Sequence, residues 1–105
     1  INQNNYDSQI VPQLFVLYQN YPNPFNGQTK ITFDLLENAK LSLYITDAKG
    51  RVQDRIIEEE FYNSGTYNFL WEAEHLSSGI YFISLQAEVD HLSPALNSKK
   101  MIFLK

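Results

Sequence analysis

Cysteine is absent from this chain of 105 residues, and several other residue types are scarce. Without cysteine, neither a disulfide nor a thiolate metal site can form. Glycine and proline occur only four times each, which is too few for a collagen-like or a disordered chain. No apolar run approaches the ~20 residues that a membrane-spanning helix needs. These absences, together with the length, leave a small domain built around one hydrophobic core as the expected class.

Basic residues are also few. The eight Lys and Arg residues are scattered and are outnumbered by 12 Asp and Glu, which gives a net charge of −4. Because nucleic-acid binding depends on clustered cationic side chains, we expect no nucleic-acid partner. Met101 is the only methionine, so Ile1 is not a translational start and we expect the chain to be a piece of a longer protein. Residues 1–12, rich in Asn and Gln, are predicted to be a linker or lead-in from an upstream domain.

Aromatic residues are abundant, at 14% of the chain, and apolar residues alternate with polar ones in several short runs. Alternation of this kind predicts half-buried strands. Short strands at roughly 8–12-residue spacing predict an all-β, antiparallel, seven-stranded sandwich. The loop at 88–97, interrupted by Pro94, is predicted to be mobile, and the charged fourth strand is predicted to be a protected sheet edge. The predicted strands are 14–18, 29–35, 40–46, 51–60, 66–71, 79–87 and 98–105.

The segment Asn-Tyr-Pro-Asn-Pro-Phe-Asn-Gly at 20–27 joins the first two predicted strands. Its two prolines fix φ and push the preceding residues out of the helical region, so an extended path near polyproline II is expected. Gly27 then allows a turn with positive φ. Tyr21 and Phe25 are expected to anchor this joint on either side.

The last strand is apolar on both of its alternating rows. Met101 and Phe103 lie on one row, and Ile102 and Leu104 lie on the other. Burial on both faces at the centre of a sheet would explain the pattern. An exposed apolar row that is left for a partner would explain it equally well.

Residues with catalytic or metal-binding potential are sparse. His75 and His91 are the only imidazoles, and no serine lies in a Gly-flanked nucleophile elbow, so no catalytic residue is expected. Glu72, Glu74 and His75 could supply metal ligands, but a solvated turn explains them better. We therefore predict neither a metal nor another cofactor.

A flat platform for sugar rings could be formed by five aromatic residues: Trp71, Tyr67, Tyr62, Tyr44 and Tyr21. Trp71 and Tyr67 share one alternating row of the fifth strand, which predicts that they belong to the core instead. Tyr44 is expected to point outward from the third strand. Tyr81, near the start of the sixth strand, is expected to bond its hydroxyl to nearby backbone, as tyrosines do in sandwich folds.

Three stretches together resemble the C-terminal sorting domain of proteins that are exported by the type IX secretion system. Residues 17–26 (LYQNYPNPFN) are similar to the opening signature of that family. Residues 76–85 (LSSGIYFISL) resemble its Gly-aliphatic-Tyr strand, and residues 99–105 (KKMIFLK) resemble its final strand. The resemblance covers about 14–105, and the combination is more specific than any one stretch.

The resemblance implies an Ig-like sandwich, related to the one in flagellar hook-capping proteins, over residues 13–105. It also implies a non-catalytic export address for an upstream cargo domain of the same polypeptide. The implied partners are the outer-membrane translocon of a Gram-negative bacterium and a sortase-like cysteine protease. The implied location is the cell surface or the medium, after a transient periplasmic stage.

From this resemblance, eight residues are candidates for recognition by the translocon. The alternative hypothesis is an accessory module that binds carbohydrate or protein and stays attached to a secreted enzyme. The candidate residues are Asn23, Pro24, Phe25, Gly79, Tyr81, Lys100, Met101 and Phe103.

Overall fold

The computed structural model describes residues 13–90 and 93–105, and in these ranges it contains seven β-strands and no helix. The prediction of an all-β chain with seven strands is confirmed. The strands are β1 (Phe15–Leu17), β2 (Gln28–Leu35), β3 (Ala39–Asp47), β4 (Val52–Tyr62), β5 (Gly65–Glu72), β6 (Gly79–Glu88) and β7 (Ala95–Phe103).

The strands form two antiparallel sheets, one of three strands in the order β1-β2-β5 and one of four in the order β4-β3-β6-β7. Of the consecutive strands, β1–β2, β3–β4 and β6–β7 pair within a sheet, whereas the chain crosses to the other sheet at β2–β3, β4–β5 and β5–β6. Crossovers of this kind are typical of Ig-like sandwiches. In this version the fourth strand lies beside β3, in the larger sheet. The predicted sandwich architecture is confirmed.

The core lies between the sheets and is made from their alternating inward rows. On β2 this row is Ile31, Phe33 and Leu35, as predicted, and all three are buried. Full burial of one such side chain contributes about 1.5–3 kcal/mol to stability. Trp71 on β5 is also buried, and its Nε1 donates to Asp54 Oδ2 on β4 over 2.8 Å. This hydrogen bond connects the two sheets along one side.

Two glycines adopt the positive φ that the sequence predicts for their turns. Gly50 closes the β3–β4 hairpin with φ of 84°, and Gly27 follows the proline segment with φ of 98°. The carboxylate of Asp47 organises the hairpin, because its Oδ1 accepts from the N–H groups of Lys49 and Arg51, at 2.9 Å each. Both positive-φ turns are confirmed.

The β4 edge is irregular, as predicted. Its pairing with β3 shifts register at three places, and Glu59 takes a positive φ of 50°. A bulged and charged edge resists pairing with another chain.

Two tyrosine hydroxyls donate hydrogen bonds to backbone carbonyls that lie just before the strands carrying them. The Tyr81 hydroxyl donates to the carbonyl oxygen of Ser77 over 2.7 Å, which confirms the predicted bond to nearby backbone. Tyr67 repeats the arrangement on β5, with a 2.6 Å bond to the carbonyl of Asn63.

Two local predictions were wrong. The loop predicted at 88–97 is shorter, because Ala95, Leu96 and Asn97 extend β7 and pair with the end of β6. Pro94 stands just before this strand, where it does not interrupt the ladder. The segment at 22–24 bends instead of following polyproline II, and its two X-Pro bonds, after Tyr21 and after Asn23, are cis. Proline fixes φ but leaves both isomers accessible, so the sequence could not decide between them. The predicted linker at 1–12 and His91 lie outside the described residues.

Candidate recognition surface

The three stretches that resemble a sorting domain meet at one end of the sandwich. Gly79 at the start of β6 pairs with Phe103 at the end of β7, and Phe103 pairs in turn with Phe25 in a parallel bridge. Phe25 therefore extends the four-stranded sheet by one residue beyond β7. Residues that are far apart in the sequence form one continuous row across the sheet.

Backbone and side-chain hydrogen bonds attach residues 19–25, here called the clamp segment, to the outer edge of β7. Phe25 N–H donates to the carbonyl of Ile102, and Leu104 N–H donates to the carbonyl of Phe25, both over 2.9 Å. Ile102 N–H donates to Asn23 Oδ1, also over 2.9 Å. Each bond satisfies a polar group that an open sheet edge would present to other chains.

The side chain of Phe25 inserts into the core and fixes the clamp segment there. Only 2% of Phe25 is exposed, and its ring stacks on Phe103 with a centroid separation of 5.2 Å. Trp71 contacts the same ring from β5, at 6.0 Å and a tilt of 60°. This aromatic cluster joins the clamp segment, β7 and the smaller sheet.

Three polar residues that the sequence analysis missed hold the clamp segment in shape. Asn20 is buried, and its Nδ2 donates to the Pro22 carbonyl and to Thr29 Oγ1 at 3.1 and 2.9 Å. Thr29 also donates to the Pro22 carbonyl, over 2.8 Å. Gln19 Nε2 donates to the carbonyl of Lys100 over 2.7 Å. Thr29 could have been found, because it continues the inward row of β2; Gln19 and Asn20 carry no such periodic signal.

The residues before Gly79 are also attached to the chain end. Lys105 N–H donates to Ser78 Oγ over 2.8 Å, and Lys105 Nζ lies 3.3 Å from the carbonyl of Leu76. Tyr81 fixes the same connection through its bond to Ser77. The β5–β6 connection and the end of β7 therefore form one side of the surface, and the clamp segment forms the other.

The eight candidate residues are all in this region, but they differ in exposure. Four of them are buried: Phe25, Tyr81, Met101 and Phe103. Pro24 and Lys100 are exposed, and Asn23 and Gly79 are partly exposed. The first four can shape the surface from below, and the second four can contact a partner directly.

The clamp segment covers the outer edge of β7 near its end. β7 is an edge strand, so the interpretation that it lies at the centre of a sheet was wrong. Met101 and Phe103 face the core, and Ile102 is partly covered where the clamp segment crosses the edge. Leu104, which is 54% exposed, and Leu96 remain on the surface.

One hydrogen-bonded carboxylate, that of Asp34, lies near the recognition surface. Thr66 donates to Asp34, and so does the hydroxyl of Tyr18, which directly precedes the clamp segment. These two bonds, that of Thr66 first, lower the pKa of Asp34, and the bond to Asp34 raises the pKa of Tyr18. Both shifts favour the ionised carboxylate and the neutral phenol at neutral pH, so the pair is a fixed contact and not an acid–base site.

The structure brings together no metal-binding group of side chains within residues 13–90 and 93–105. In these ranges no three His, Asp or Glu side chains are placed to hold a metal ion. Of the five aromatic residues considered for a sugar platform, Trp71 is buried and only Tyr21 is fully exposed; Tyr44, Tyr62 and Tyr67 are partly buried. Within the same ranges, no helix is long and apolar enough to cross a membrane.

Comparison with known proteins identifies the family of this chain. No curated protein matches the chain. The family model described as the secretion system C-terminal sorting domain matches residues 19–102, which run from the first residue of the clamp segment almost to the end of β7. The matched part includes every strand pairing described above except those of β1 and of Phe103. Because it covers most of the chain, the protein belongs to the family of type IX secretion system C-terminal sorting domains.

Proposed function

We propose that this domain is the export address of a larger cargo protein and that the outer-membrane translocon of the type IX system reads the folded sandwich. The observation that supports this proposal is the convergence of three distant stretches on one surface. A sorting signal needs an accessible surface that other sandwich domains lack. The clamp segment with the end of β7 supplies such a surface.

In this proposal the recognition residues have two roles. Asn23, Pro24, Gly79 and Lys100 would contact the translocon, because they are accessible. The buried residues Phe25, Tyr81, Met101 and Phe103 would hold the clamp segment and β7 in the shape that is recognised. Lys100 is the most direct candidate, since it is exposed beside the clamp segment and has no carboxylate within 4 Å in the described chain.

The cargo would precede the domain in the same polypeptide, with residues 1–12 as the lead-in and residues 13–105 as the sorting domain. The cargo would pass through the periplasm and finish at the cell surface or in the medium of a Gram-negative bacterium. A sortase-like cysteine protease would remove the domain where the cargo is anchored. The domain itself would have no catalytic role.

A reporter experiment tests the proposal. A periplasmic signal peptide, a fluorescent reporter and all 105 residues are joined and expressed in a host that has the system and in the same host without its translocon. Reporter outside the cells in the first host, and in the periplasm in the second, is the expected result. Equal periplasmic retention in both hosts would contradict the proposal.

A matched pair of variants tests the role of Lys100. Lys100→Ala removes an exposed cation from the surface, and Lys30→Ala removes one from β2 of the other sheet. We expect reduced export for the first variant only, with the melting temperatures of both purified domains unchanged. Export that is unaffected by Lys100→Ala would remove Lys100 from the proposed contacts.

A further inference from the structure

A groove opens at the same end of the sandwich, between the β3–β4 hairpin and the β5–β6 connection. Its volume is about 440 Å³. It is bordered by Lys49 and Arg51 from the hairpin and by His75 and Leu76 from the connection. No residue of the clamp segment lines it, but the groove adjoins the recognition surface, because the β5–β6 connection, Gly79 and Tyr81 belong to both.

The side chains that line this groove carry a net positive charge, because Lys49 and Arg51 outnumber Asp47. Asp47 is its only acidic lining residue. The Asp47 carboxylate already accepts from Arg51 Nε over 2.7 Å and from Gln53 Nε2 over 3.2 Å, besides two backbone N–H groups at 2.9 Å each. The pKa of Asp47 is lowered, chiefly by the backbone hydrogen bond from Arg51, so it stays ionised and bonded at neutral pH.

Arg51 is paired with Asp47, so Lys49 is the lining cation that carries an unpaired charge. Lys49 has no carboxylate within 4 Å in the described part of the chain. Lys105 adds a third cation at the margin, where its Nζ lies 3.3 Å from the carbonyl of Leu76. Glu72 ends β5 and Glu74 lies in the connection, but neither lines the groove.

Aliphatic side chains also line the groove, together with polar ones. Ala48, Leu76 and Ile80 are among the lining residues, and Ile80 is 44% exposed although it lies on a strand. A groove lined by aliphatic and cationic side chains is complementary to a chain that presents carboxylates beside aliphatic side chains. An exposed apolar patch bounded by charge is also typical of a protein contact.

We propose that this groove binds an acidic, aliphatic peptide segment of a protein partner. This proposal rests on the proposed function, because it names a second contact between the sorting domain and the export machinery. The volume suits a few side chains of an extended segment and not a folded domain.

Peptide titration tests the groove directly. The full chain, labelled with ¹⁵N, is titrated with Ac-Glu-Leu-Glu-Leu-Glu-NH₂ and with the same peptide carrying Gln in place of Glu. We expect amide shifts confined to 47–53 and 75–81 with the acidic peptide, and at least tenfold weaker binding of the neutral one. Equal binding of both peptides, or no localised shift, would overturn the proposal. Shifts in the groove with phosphatidylglycerol vesicles but not with the peptide would assign it to lipid headgroups and would also overturn it.

A charge-matched pair of double variants tests the groove during export. Lys49→Gln with Arg51→Gln removes two cations from the groove, and Lys30→Gln with Arg55→Gln removes two exposed cations elsewhere. We expect at least a fivefold fall in exported reporter for the groove pair only, and loss of the peptide shifts. Export that is equal in both pairs overturns the groove contact while leaving the sorting function intact. Failure of the unmodified chain to export would refute the sorting function, and the titration would still decide about the groove.

Discussion

The hydrogen bond between Asn23 and Ile102 provides a sharp test of the clamp. Asn23→Ala removes the oxygen that accepts from Ile102 N–H at 2.9 Å, and this N–H is partly buried at the sheet edge. A donor left without its partner costs about 1–3 kcal/mol when buried, and the partial exposure here favours about 1–2 kcal/mol. Asn23→Asp is the matched control, because it keeps an oxygen at the same position.

Two measurements separate a local effect from a global one. Urea unfolding of the full chain gives the change in the free energy of unfolding, for which we expect a loss of about 1–2 kcal/mol in Asn23→Ala and little change in Asn23→Asp. Amide hydrogen exchange reports on Ile102 itself. We expect its exchange to accelerate by about 5–30-fold in Asn23→Ala. Amides in the middle of β3, which lies two strands away from β7, are expected to change only as much as the global stability.

The clamp interpretation fails if Ile102 exchanges no faster than the β3 amides do in Asn23→Ala. It also fails if Asn23→Asp destabilises the domain as much as Asn23→Ala does. In either case the Asn23 oxygen would not be what protects this edge. The two backbone bonds of Phe25, its buried ring and the bond from Gln19 to the Lys100 carbonyl would then hold the segment.

Three further predictions concern the same end of the molecule. Phe25→Ala empties a buried aromatic site and should lower the free energy of unfolding by about 3–5 kcal/mol, whereas Tyr21→Ala, at a residue that is 76% exposed, should change it by no more than about 0.5 kcal/mol in urea unfolding. Tyr81→Phe removes only the hydroxyl bond to backbone and should cost about 0.5–1.5 kcal/mol in the same assay, so an unchanged value would contradict its fastening role. The pKa of Asp47 is lowered in the folded state, chiefly by the backbone hydrogen bond from Arg51, so its contribution is present above the unfolded pKa of about 3.9 and is lost as the pH falls through the lower folded value. The stability difference between the unmodified chain and Asp47→Asn should therefore shrink below about pH 4, and a difference that stays constant to pH 2 would refute this assignment.

Much of the fold could be predicted because the sequence carries a regular period. The inward rows of β2 and β3 alternate strictly, and burial of those rows decides which face of each strand lies in the core. On β6 the alternation is broken by Ser84, which is buried on the other row. Turn glycines such as Gly50 add a local signal that needs no tertiary information. The sandwich follows from these two kinds of signal together with the spacing of the strands.

The recognition surface could be predicted only in part, because its geometry depends on contacts between residues that are distant in the sequence. Proline at positions 22 and 24 marks a special segment, but nothing local shows that it bends onto the edge of β7. The apolar character of Ile102 is explained by that edge contact, and so it could not be distinguished from the signature of a central strand. Asn20 resembles an ordinary loop residue until its bonds to Pro22 and Thr29 are seen.

The same long-range geometry bears on how an export signal of this kind can work. Asn23 and Ile102 are separated by 79 positions in the chain, yet a single hydrogen bond joins them. The proposed signal would therefore be assembled only when the sandwich is complete, because no continuous peptide contains both sides of the surface. A translocon that reads this surface would accept a folded sorting domain and reject an unfolded or truncated one. Recognition would then be coupled to folding, since both depend on the same clamp bonds.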